Sequence, residues 1–300
     1  MKKLKIYAVL LIVVFLLFGC EKPAPTELVQ NDQSVDDPAS VEVITKNLSN
    51  DSTGNGYDST GVTDDVNQYN NVIIVSGVKI TSRLVSVRLS IAQAMFFDKS
   101  KPFYGTDGRL ISYRTRFVGN IFFDGNKARL IPHVILSSIL ASDTSQGLQY
   151  VLYSRNLRGD AFIYNYNSQV KFKLVSLHDS LNYDFNIPTP PEVTGTVDIN
   201  GTRASGNLRA VLQWDADPGT KMIINIGASA KGNANVIPIY QIKTKDDGKY
   251  IIPASLLNSI PVKSFDKLYI SFVRQLKINR KNEDLVVFSQ SVHTIIIEDR

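Results

Sequence analysis

From Val72 almost to the last residue, large apolar side chains recur at every second position, in runs rich in Val, Ile, Phe and Tyr. A period of two belongs to strands, whose side chains alternate between faces, and β-branched and aromatic residues suit that pleated surface. Clusters of Gly, Asn, Asp, Ser and Pro interrupt the runs about every ten positions, the rhythm of β-sandwiches. No stretch carries a helical repeat for more than about two turns. The body of this chain is therefore expected to be all-β.

The pattern predicts strands over 72–80, 83–97, 109–123, 127–136, 148–155, 160–175 and 181–187, then 193–199, 206–214, 220–228, 236–244, 248–252, 267–278 and 284–297. Pro188-Thr189-Pro190-Pro191 divides them, because prolines cannot sit in a central strand and force an extended connection. Two sets of strands on either side of that divider imply two tandem β-sandwich domains of immunoglobulin-like build, over 72–187 and 192–300.

One hairpin can be read in register. Asp124-Gly125 is a two-residue turn signal, since both positions tolerate the positive φ of a type I′ turn. Pairing outward from it sets Phe123 opposite Asn126, Ile121 opposite Ala128, Phe117 opposite Pro132 and Arg116 opposite His133. One face of this hairpin is apolar. The other gathers Arg114, Arg116, Lys127, Arg129 and His133, a candidate surface for an anionic ligand such as a glycan, or for an acidic envelope protein. Its ordinary alternative is a solvated outer face whose arginines lie over aliphatic neighbours.

Charge separates the chain into zones. Residues 21–71 hold 10 acidic and 2 basic side chains, and residues 72–300 hold 28 basic and 18 acidic. The acidic stretch is poor in large apolar groups, so residues 20–71 are expected to form a disordered tether. Asp51-Ser52-Thr53-Gly54 returns as Asp58-Ser59-Thr60-Gly61, but without the ligand spacing of an EF-hand.

The first residues carry a different signal: Lys2, Lys3 and Lys5, then an apolar run from Ala8 to Phe18. Such a run rises only about 16 Å as a helix, too short to span a bilayer, and its layout is that of a secretory signal over 1–19. Leu17-Phe18-Gly19-Cys20 resembles the bacterial lipobox, in which the cysteine thiol is diacylated, the signal is cleaved before it, and the new amine is acylated. That resemblance implies lipidation at Cys20, a membrane partner through acyl chains, and a place in the cell envelope. Cys20 is the chain's one cysteine, which acylation would consume. Glu21 follows where enterobacterial inner-membrane retention signals have Asp, favouring the outer membrane.

In the second half, Leu208, Ala210, Leu212 and Trp214 alternate up to an Asp-Ala-Asp-Pro-Gly turn. This resembles the second strand of fibronectin type III and related immunoglobulin-like modules, whose tryptophan packs between the sheets. Asp247 to Pro253, leading to Ser255-Leu256-Leu257, is similar to an element of Bacteroidota-type surface lipoproteins. The resemblance implies a structural or binding module and supplies no catalytic residue.

Signs of chemistry are weak throughout. His133, His178 and His293 are far apart, and none has metal-ligand spacing, so no metal or other cofactor is expected. Ser168 and Lys171 match S-x-x-K by letter, yet they lie in a β-patterned run where that chemistry needs a helix. Asp215 and Asp217 are the nearest carboxylate pair, but followed by Pro218-Gly219 they are placed to cap a turn. No nucleic-acid motif is present. The expected function is a non-catalytic envelope module for binding, adhesion or assembly. The alternative is an enzyme acting on envelope or extracellular polysaccharide through carboxylates.

Overall fold

A computed structural model describes residues 40–43, 71–104, 110–135, 144–156, 162–176, 182–202, 204–230, 236–260 and 265–298. Cys20, the expected signal segment over 1–19 and most of the acidic stretch lie outside these residues. The described chain is all-β and sandwich-like, as its period-two pattern requires.

The first half contributes β1 (Ser40–Val43), β2 (Asn71–Thr81), β3 (Ser86–Tyr104), β4 (Leu110–Thr115), β5 (Gly119–Phe123), β6 (Asn126–Lys127), β7 (Arg129–Ile135), β8 (Thr144–Ser154), β9 (Gln169–Ser176) and β10 (Asn182–Pro188). The second contributes β11 (Gly195–Asn200), β12 (Arg209–Trp214), β13 (Lys221–Ala230), β14 (Val236–Lys245), β15 (Lys249–Ile252), the short helix α1 (Ala254–Asn258), β16 (Phe265–Arg280) and β17 (Leu285–Glu298). A large sheet runs β1-β14-β13-β16-β17-β2-β3-β8-β7, with β4 also on β3; two smaller sheets, β10-β9-β5-β6 and β11-β12-β15, complete the fold.

Both small sheets cover the same face of the large one. Phe272 and Ile270 of β16 pack with Leu212 and Trp214 of β12 in one core. Ile73 and Val75 of β2, with Leu285 and Val287 of β17, pack with Ile121 and Phe172 of the other cover sheet in a second core. Strand β17 serves both, through Leu285 and Val287 at one end and Ile295 and Ile297 at the other. The two halves expected on either side of the proline divider therefore share one sheet, since β17 pairs in parallel with the whole of β2. The reason is visible in both sequences. Val-Ile-Ile-Val and Leu-Val-Val-Phe are apolar on consecutive positions, which suits strands buried on both faces. Just after the divider the chain meets β17, where Val193 N–H donates to Ser291 Oγ at 2.8 Å.

Two local expectations are corrected. Residues 40–43, placed in the disordered tether, form β1 on the edge of β14, with Val41 against the core. Ser-Val-Glu-Val alternates, and pairing satisfies an edge that would otherwise be exposed. The expected strand over 160–175 begins only at Gln169. Ahead of it, Phe162 and Tyr164 are buried, and Tyr164 is held by its N–H to Ser90 Oγ at 2.8 Å and its hydroxyl to Ser289 Oγ at 3.0 Å. These side-chain bonds replace a strand ladder.

Candidate anion-binding cleft

The Asp124-Gly125 turn has the expected geometry, with φ of 47° and 76°. Close to it the register is also as expected: Phe123 faces Asn126, and Ala128 N–H donates to Ile121 O at 2.8 Å. Beyond Ala128 the two arms part. Strand β7 leaves to pair with β8, placing Pro132 opposite Leu148 and His133 opposite Gly147. Strand β4 pairs with β3, so Phe117 does not meet Pro132, nor Arg116 His133. The physical cause lies at Tyr150. Its buried hydroxyl accepts the N–H groups of Val118 and Gly119 at 3.0 and 3.2 Å and donates to Gly119 O at 2.9 Å. Those groups are thereby satisfied without a partner strand.

The fork opens a cleft of about 510 Å³ lined by Phe117, Asn120, Lys127, Arg129, Leu130 and Tyr150 among others. Lys127 and Arg129 flank Ala128, which turns into the core; two residues apart on an extended chain, both cations project outward. Phe117 stacks on Tyr150 with ring centroids 6.3 Å apart. Phe117 is nonetheless 43% exposed and Leu130 41%, so apolar surface adjoins the two charges.

The other three expected site residues lie elsewhere. Arg114 stands on β4 opposite Asp98. Arg116 binds Phe96 O through its backbone N–H, and its charge acts on the Tyr183 hydroxyl, whose pKa burial raises. His133 sits half-buried on β7; burial lowers its pKa, and its Nδ1 has no hydrogen-bond partner among the described residues. It adds no positive charge at neutral pH.

Sequence reading missed two cations that the sheet brings close. Lys171 and Lys173 of β9 line a second cleft of about 310 Å³ with Phe122 and Gly125. Register places Lys127, Phe122, Lys173 and Asp184 in one row across four strands. Lys171 Nζ lies 3.3 Å from Asp184 Oδ1 on the exposed side. The signal was the alternation of Lys171 and Lys173 with buried Val170, Phe172 and Leu174. Only the fold could join it to Lys127.

Two of the candidate catalytic groups, the Asp215 carboxylate and the His293 imidazole, have structural tasks. Asp215 Oδ1 accepts Thr194 N–H at 2.6 Å, and Asp217 O accepts Thr220 N–H at 3.2 Å. Ser168 lies in the turn before β9. His293 is buried, with Nδ1 accepting Gly195 N–H at 2.9 Å and Nε2 3.0 Å from Thr81 Oγ1. Burial, helped by the charges of Lys79 and Arg88 and opposed by Asp215, lowers its pKa to about 4. Nδ1 acts as acceptor, so Nε2 carries the proton and donates to Thr81. Among the described residues no group of three or more His, Cys, Asp or Glu is placed to hold a metal ion. Compared with known proteins, the chain matches no family model and no curated sequence.

Proposed function

We propose that this chain is a lipid-anchored, non-catalytic binding module of the bacterial cell envelope, and that its ligand is an anionic glycan. The observation that carries the ligand class is the fork cleft, where Lys127 and Arg129 stand beside exposed Phe117 and Leu130. Cations recognise carboxylate or sulfate groups, and an aromatic face receives the apolar side of a sugar ring. The second cleft repeats the theme with Lys171, Lys173 and Phe122, and neither described lining includes the paired carboxylates that glycoside hydrolysis uses.

The anchor rests on the Leu-Phe-Gly-Cys run at residues 17–20. Pairing of β1 begins at Ser40, 20 residues after Cys20.

Two measurements test the proposal. Metabolic fatty-acid labelling should disappear in Cys20→Ser, and labelling that persists would refute the anchor. A soluble form should be retained on immobilised heparin, used as a sulfated glycan probe. Lys127→Glu with Arg129→Glu should elute at clearly lower salt than Arg114→Glu with Arg116→Glu. Equal loss from both pairs would refute the cleft as the site.

A further inference from the structure

The two clefts adjoin on the outer face of the sheet β10-β9-β5-β6. Lys127, which lines the fork cleft, stands directly opposite Phe122, which lines the second cleft. Phe122 in turn faces Lys173, and Lys173 faces Asp184. Cross-strand partners share a face of their sheet, so these four side chains form one row across all four strands. At about 4.8 Å between strands, Lys127 and Lys173 stand about 10 Å apart with Phe122 between them. Two residues from Phe122 along β5, Asn120 returns to the same face and lines the fork cleft. The clefts thus meet at the pair Lys127 and Phe122.

This platform is held from behind and along its edge. On the inner face Ile121, Phe123, Val170, Phe172 and Leu174 are at most 1% exposed, and the Phe123 and Phe172 rings pack 5.4 Å apart. At the turn, Asp124 N–H donates to Lys171 O at 2.8 Å, and Lys171 N–H donates to Asp124 Oδ1 at 2.7 Å. That reciprocal pair joins residues 47 apart in sequence and staples the hairpin carrying Lys127 to the strand carrying Lys171 and Lys173. The cations of the two clefts are thereby set in position relative to one another, which lowers the ordering cost of a ligand that meets both.

Charge gives the path a direction. Among the described residues Lys127, Arg129 and Lys173 form no ion pair, while Lys171 Nζ lies 3.3 Å from Asp184 Oδ1. Both side chains of that pair are more than half exposed, so a ligand anion can compete with it. Asp124 already uses a carboxylate oxygen on Lys171 N–H. Lys127, Arg129, Lys171 and Lys173 thus face two carboxylates, Asp124 and Asp184, and Asp184 stands on the outermost strand β10. An anionic chain that enters at Arg129 and Lys127 passes Phe122 and reaches Lys173, where Asp184 opposes further extension. Phe117 and Phe122 supply apolar surface beside the cations along the way.

We propose that the two clefts are halves of one track for a linear, repeatedly charged glycan, which lies across β6, β5 and β9 and is held along its length rather than by an end. This rests on the anionic-glycan reading of the fork cleft and adds the form of the ligand. The glycan must carry anionic groups that repeat at about two strand spacings, which a single sugar cannot supply. Once one charge is held in the fork cleft, the next is presented to Lys173 at high effective concentration, so affinity rises with chain length.

Titration calorimetry of a soluble form with heparin di-, tetra- and octasaccharides tests the track. The octasaccharide should bind one to one and at least about tenfold more tightly than the disaccharide. Lys171→Gln with Lys173→Gln should weaken octasaccharide binding about fivefold or more. The charge-matched pair Arg209→Gln with Lys249→Gln, at exposed positions of the other cover sheet, should weaken it less than about twofold. Affinity independent of length, two octasaccharides bound per protein, or equal losses from both pairs would overturn the track. Loss in Lys127→Glu with Arg129→Glu, but none in Lys171→Gln with Lys173→Gln, would overturn it while leaving the fork cleft as the binding site. Absence of binding at every length by the unaltered chain would overturn both.

Discussion

Arg274 and Asp246 meet beneath the β11-β12-β15 sheet, the guanidinium donating to the carboxylate at 2.7 and 3.2 Å, with side chains only 2% and 0% exposed. Both partners make further hydrogen bonds. Arg274 also donates to Glu192 O at 3.1 Å and Asp215 O at 2.6 Å, while Asp246 accepts Trp214 Nε1–H at 2.7 Å and Thr220 Oγ1–H at 2.8 Å. One ion pair thus ties Glu192, which follows the proline divider, the turn after β12 and the turn after β14 to β16. Burial pushes the Asp246 pKa up, but the hydrogen bonds from Arg274, Thr220 and Trp214 together hold it below the usual carboxylate range.

Removing one partner strands the other. Asp246→Ala should destabilise the protein by about 3–5 kcal/mol, because an uncompensated guanidinium stays buried. Arg274→Met together with Asp246→Leu should cost less than the sum of the single losses. Urea midpoints of the four proteins measure this. Strict additivity would show that the pair does not act as a unit.

His293 predicts a pH dependence. Its folded pKa of about 4 lies below the unfolded value near 6.5, so the unfolded chain binds more protons between those limits. Stability therefore rises with pH across that window, and this group contributes about 3 kcal/mol fully only above it. Protonation of Nδ1 would also remove the acceptor for Gly195 N–H. His293→Asn can keep an acceptor there without titrating. The variant should show a flatter stability curve between pH 4 and 6.5 in denaturant titrations, and an unchanged slope would assign the pH dependence to other groups.

Gly77 lies under an aromatic bridge. Tyr164 and Tyr166 meet edge to face at 5.3 Å over β2, and a methyl group on residue 77 would fall 2.6 Å from the Tyr166 hydroxyl. Burial, with the nearby Glu192 charge, pushes that hydroxyl's pKa up to about 12, so it remains neutral. Gly77→Ala should cost about 1–3 kcal/mol through overpacking. Near-ultraviolet circular dichroism should report the displaced tyrosines, and a neutral substitution with an unchanged spectrum would mean the rings move aside freely.

The sequence made the strands legible because alternation is local. The alternation ending at Trp214 implies a ring packed between sheets, and that ring lies 5.8 Å from Phe272 in the core. Partnership between strands was less legible. The Asp124-Gly125 turn determines register only while both arms stay together, and the arms separate because Tyr150, distant in sequence, satisfies Val118 and Gly119. The pairing of β2 with β17 joins residues more than 200 apart, and no local pattern encodes it. The same limit hid Arg274 with Asp246, and split the expected basic face into the cleft pair Lys127 and Arg129 and three residues placed elsewhere.

Phe117 separates charge attraction from shape recognition in the fork cleft. Its ring stacks on Tyr150, whose hydroxyl is bonded to Gly119 O. Attraction by Lys127 and Arg129 weakens as salt shortens the Debye length from about 10 Å at 0.1 M to about 3 Å at 1 M. A contact between a sugar ring and Phe117 does not depend on that length. Phe117→Ala should therefore lower affinity for a heparin oligosaccharide by a similar factor at low and high salt, whereas Lys127→Glu with Arg129→Glu should lower it mainly at low salt. Titration calorimetry at two ionic strengths distinguishes the two patterns. If Phe117→Ala has no effect at either, the cleft holds its ligand by charge alone, and an anionic protein segment replaces the glycan as the better occupant.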